Sequence, residues 1–136
     1  MAKLSSLSCL AALCVAAALA APARGDAPAK WDQARVTTLA RQLAEAGAAW
    51  QAAVLRQPEA GPRMQQNAKT LQEQSEALAS HLAKGKDRSE TLDYYRGLKE
   101  VADDTEQLAS RAPLDEPTLA AWAKVADLMR QLAPYY

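Results

Sequence analysis

Phenylalanine is absent from this 136-residue chain, histidine occurs once, and the only two cysteines, Cys9 and Cys14, fall near the start. Each shortage removes a class of chemistry. Without Phe, a core has to be filled by Leu, Ala and Val, with three Trp and four Tyr as its large members. One histidine, His81, is too few for a zincin motif or for the paired Glu-x-x-His of a di-iron bundle. The 16 basic and 16 acidic residues are interleaved, so no basic stripe exists for a nucleic-acid backbone and no nucleic-acid partner is expected. Nucleophile-elbow, Walker A and C-x-x-C-H haem-attachment motifs are all missing. No alternating apolar run marks a strand.

What is present begins with a leader. Lys3 supplies a positive start, Leu7 to Leu19 form an apolar run, and Ala18-Leu19-Ala20 reads as a cleavage site. Ala21-Pro22-Ala23 is a second candidate, so residues 1–20 or 1–23 are expected to be removed as a signal peptide. The run is too short for a comfortable membrane span and has no stop-transfer flank. The expectation is therefore bacterial export, a periplasmic or secreted location, and no stable membrane insertion after processing. Neither cysteine sits in a lipoprotein-type context, and both leave with the leader. The mature chain then has no thiol for a disulfide, a thiolate metal site or a cysteine nucleophile. Loss of Lys3 also shifts the balanced charge one unit negative.

A little over a hundred residues remain, enough for one domain with a core and too few for two. Residues 21–27 read as a flexible Pro/Ala linker, with Asp26 as a cap for the first helix and Pro28 in its opening turn. Helical periodicity then predicts four helices over about 28–57, 62–84, 88–111 and 116–133. The first carries a continuous seam of Val36, Leu39, Leu43, Ala46, Trp50 and Ala53. The second repeats the design with Met64, Ala68, Leu71, Ser75, Leu78 and Leu82, followed by Gly85 as its stop. On the third, Thr91, Tyr94, Leu98, Val101, Thr105, Leu108 and Ala112 are the predicted seam, flanked by Tyr95 and Ala102. Leu119, Trp122, Val125 or Ala126, Met129 and Leu132 form the fourth. Asp87 with Glu90 reads as a capping box, and Asp115 as the last cap. Short connections make antiparallel neighbours the economical solution. The predicted fold class is thus all-α, an antiparallel up-down-up-down four-helix bundle spanning residues 28–136 after a cleaved signal peptide.

Function is far less legible. Ser80 neighbours His81 in sequence, but adjacent helical residues do not face each other, and no other catalytic constellation is visible. The chain reads as a non-enzyme with no cofactor. Glu100, Asp103, Asp104 and Glu106 give the third helix an acidic stretch with little basic relief. That stretch is the candidate surface for an envelope-protein partner, in the manner of an adaptor, immunity protein or sensor accessory. As a cation site it is poor, because helical carboxylates at these spacings point to different sides.

The alternative reading is a small haem or metal carrier using His81 and Met129, both near the C-terminal ends of their helices. It is similar to cytochrome b562 in architecture, where a helical bundle holds haem between His and Met. There the ligands come from the first and last helices, whereas the first helix here contains neither residue type.

Overall fold

The structure is a computed structural model that describes residues 27–136. The leader with Cys9 and Cys14, and the linker as far as Asp26, lie outside the described residues. Among the described residues the protein is all-helical, with four helices and no strand: α1 (Gln33–Leu55), α2 (Pro62–Ala83), α3 (Arg88–Ala109) and α4 (Glu116–Leu132). Short 3-10 turns follow α1 at Pro58–Ala60 and α4 at Ala133–Tyr135. No helix among the described residues is long and apolar enough to cross a membrane.

The helix ends are set by local chemistry. Asp87 accepts from the Glu90 amide while the Glu90 side chain accepts from the Asp87 amide, closing the capping box that opens α3. Asp115 accepts from the Thr118 amide at the start of α4, with Pro117 in its first turn. At the end of α2, Lys86 N–H donates to His81 O and Gly85 N–H to Leu82 O. This double closure needs a left-handed residue, and Gly85 supplies it with φ 83°. The opening of α1 differs from expectation. The helix starts at Gln33 rather than near 28, and its cap is Asp32, which accepts from the Arg35 amide. Residues 27–32 are non-helical because they are tied elsewhere: Ala29 N–H donates to Pro134 O, and Arg88 donates to Ala29 O.

Four connections show which ends meet. Gln33 in the first turn of α1 donates to Leu82 O, and to Lys86 O just beyond α2. Arg63 and Asn67, early in α2, donate to Asp104 late in α3. Arg35 early in α1 donates to Gln131 at the end of α4. At the other end, Gln57 after α1 accepts from the Asp115 amide before α4.

The seams of α1 and α2 are buried as their periodicity predicts, with Leu39, Leu43, Leu71 and Leu78 fully enclosed. Those of α3 and α4 are rotated. On α3 the buried stripe is Thr91, Tyr95, Leu98, Ala102, Thr105 and Ala109, while Tyr94, Val101 and Leu108 are half-buried. On α4 it is Thr118, Trp122, Val125, Leu128 and Leu132; Leu119 is 43% exposed and Met129 half-buried. The cause is the packing of α4, which lies along α1 and touches α3 only sparsely. The stripe of α4 facing α1 is therefore covered, and the side holding Ala126 and Met129 is not.

Candidate functional site

The sparse α3–α4 contact leaves a groove. Tyr95, Lys99, Ala102, Asp103 and Glu106 line it from α3, and Trp122, Ala126, Met129, Arg130 and Ala133 from the α4 side. Its cavity holds about 330 Å³. Glu106 pairs with Trp122 at one end, and Tyr95 meets Tyr136, just beyond α4, at the other. Eleven residues of α3 separate those ends, about 16 Å along the axis.

Bulky rings stand at both ends of the groove. Trp122 packs against Trp50 of α1, ring centroids 5.1 Å apart. Tyr95 stacks on Tyr136 at 4.3 Å, and the Tyr136 hydroxyl shares a 2.7 Å hydrogen bond with Thr91 Oγ1. Burial raises the pKa of both tyrosines above the usual phenol value, so neither ionises near neutral pH. Between these wedges Ala102 and Ala126 have only methyl groups to offer, and the space above them stays open.

The four predicted acidic residues do not share one face. Glu100 and Asp104 turn toward the cleft with α2, where Arg63, Asn67, Thr70 and Gln74 stand opposite. Asp103 and Glu106 turn toward α4. This is the division that i, i+4 and i, i+3 spacing produces on a helix. Asp104 is the most engaged: hydrogen bonds from Asn67 and then Arg63 hold its carboxyl below the ordinary value. Asp103 pairs with Lys99 at 2.6 Å, and that hydrogen bond raises the lysine pKa. Glu106 Oε2 accepts the indole N–H of Trp122. Glu100 and Glu106 have no ion-pair partner among the described residues.

His81 and Met129 are not brought together. The His81 ring stacks on Tyr94 at 4.5 Å, across the α2–α3 seam, while Met129 lines the α3–α4 groove. Among the described residues no group of three His, Cys, Asp or Glu side chains is placed to hold a metal ion.

Sequence reasoning missed the groove, although Trp122, Met129, Asp103 and Glu106 were each singled out. The available signal was Ala102 opposite Ala126, two small residues flanked by large ones on both helices. Comparison with protein-family models, curated proteins and solved structures finds no match for this chain.

Proposed function

We propose that this chain is an exported, non-catalytic binding module that engages an envelope protein in the periplasm. In this reading residues 1–20 or 1–23 are removed as a signal peptide, and the rest works as an antiparallel up-down-up-down bundle. The pairing of early α1 with late α2, early α2 with late α3, and early α1 with late α4 supports that topology. The observation that carries the functional reading is the state of the acidic residues on α3. Glu100 and Glu106 are exposed and form no ion pair among the described residues, one on each side of the helix. A basic partner surface would find them unneutralised, and complementary charge of this kind speeds encounter and sets orientation more than it adds affinity.

Affinity capture from envelope extract tests the proposal. The wild type should retain a defined protein at low salt, and the double charge reversal Glu100→Lys with Glu106→Lys should lose it with the fold intact by circular dichroism. Recovery of nothing, or recovery unaffected by the reversal, would remove the partner reading.

A further inference from the structure

The groove between α3 and α4 shares Glu106 with the proposed partner surface but has a chemistry of its own. We propose that it binds a small organic cation: an amine or guanidinium carried on an apolar, ring-sized body. Three observations lead there.

The first is shape. Ala102 and Ala126 leave the middle of the groove unfilled, and Tyr95, Trp122 and Met129 wall it with apolar surface. A cavity of about 330 Å³ lies at the small end of the range for small-molecule sites. A helix, about 10–12 Å across with its side chains, is too thick to enter it. The occupant is the size of a ring or two.

The second is charge. Four ionised side chains line the groove, and three already have partners. Lys99 and Asp103 neutralise each other at 2.6 Å, and Arg130 lies 3.6 Å from Asp127, outside the groove lining. Of the four, Glu106 alone has no cation among the described residues. The half of the groove that holds it is therefore net negative, and a bound anion would meet that charge directly.

The third is preorganisation. Trp122 Nε1–H holds Glu106 Oε2, while Oε1 takes no donor among the described residues. The carboxylate is thus oriented at the groove mouth with one oxygen free. A carboxylate oxygen beside an aromatic ring is the pairing that attracts organic cations, through a charge-assisted hydrogen bond and through the ring quadrupole. The cation belongs at the Glu106 end. The apolar body then lies over Ala102 and Ala126 toward Met129, and stops short of Lys99, seven residues or about 10 Å away along α3.

The experiment uses three probes of one ring system: phenethylamine, phenethyl alcohol and phenylpropionate. Each is titrated into nitrogen-labelled protein while the indole N–H resonances are followed, with Trp122 assigned by its loss in Trp122→Phe. Phenethylamine should shift the Trp122 resonance saturably and bind at least about tenfold tighter than the other two. Glu106→Gln keeps an acceptor for the indole and should abolish that preference without moving the melting temperature. Ala126→Leu fills the groove and should block the shift while the fold is retained. Equal binding of the alcohol or the anion, a preference that survives Glu106→Gln, or no saturable shift with any probe would each overturn the assignment. The outcome is independent of protein capture, so either reading can fail alone.

Discussion

Along the α1–α2 seam, a Cβ added to Gly47 would come within 2.9 Å of Gln72 Oε1 and 3.1 Å of Leu71 Cδ2. Along the α3–α4 seam, by contrast, a cavity of about 330 Å³ separates the helices. Both seams use small residues, with opposite results. On α1 and α2, Ala40, Gly47, Ala68 and Ser75 are buried, and Gly47 lies so close to Leu71, Gln72 and Ser75 that little space is left. On α3 and α4, Ala102 and Ala126 line the groove together with Tyr95 and Trp122, whose rings pack on Tyr136 and on Trp50 of α1, and the space over the alanines stays unfilled. The tryptophans tell the same story. Trp50 is fully enclosed, with its indole N–H buried and unpartnered, whereas Trp122 turns its N–H outward to Glu106. Small residues bring helices together only where no larger neighbour stands in the way.

Removing volume should give the largest contrast. Leu71→Ala on the closed seam is expected to cost about 2–5 kcal/mol in chemical denaturation, because the surrounding backbone is already too close to collapse further. Met129→Ala on the open seam should change stability by no more than about 0.5 kcal/mol. Similar losses at both positions would mean that the groove is closed in solution.

Adding volume sharpens the same comparison. Ala46→Leu should cost about 1–3 kcal/mol, since Ala46 on α1 is buried in the core. Ala126→Leu has room, and its effect should stay within about 0.5 kcal/mol of zero. If the order reverses, the two seams have been assigned the wrong way round.

These contrasts also mark what could be read in advance. The four helices were legible because Asp87, Gly85 and Asp115 punctuate them by local rules, and those rules operate without tertiary context. The α1 and α2 seams were legible because each packs on two neighbours, so the whole apolar stripe is covered. On α4 the strongest apolar spacing included Leu119 and Met129, but the helix turned Thr118 and Leu128 inward to meet α1. Periodicity gives the width of a stripe and not the neighbour that will cover it. The late start of α1 was hidden for a similar reason. Ala29 is held by Arg88 and Pro134, 59 and about a hundred residues away, contacts that no local window contains. The four carboxylates divide between two sides of α3 as their helical spacing implies, but which neighbour each side meets is set by the packing.

The smallest expected effect concerns acid. Asp87, Asp104 and Asp115 all have carboxyls held below the ordinary 3.8 by hydrogen bonds from Glu90, Asn67 and Thr118 respectively. A lowered folded value means the charged form is the one favoured by folding. Their stabilisation is present above the ordinary value and disappears as pH falls below it, through the lowered values of the folded state. Melting temperature should accordingly drop on the acid side of that point, and Asp104→Asn should show a shallower drop than the wild type. An equally steep drop in the variant would show that Asp104 does not help tie α3 to α2.

The Arg88 side chain, reaching Ala29 O with one nitrogen and Tyr135 O with another, has a consequence for connectivity. It holds the two ends of the described chain side by side, with Ala29 N–H only 2.6 Å from Pro134 O. A few added residues would therefore join them into a ring, and that ring could be cut again in the loop at Gly61, where φ is 92° and nothing lies within 4 Å of an added Cβ. The helices would then be read in the order α2, α3, α4, α1 with every neighbour unchanged, as happens when termini lie close together at a surface. The present order of the four helices is thus a property of where the ring is opened, and the packing itself is indifferent to it.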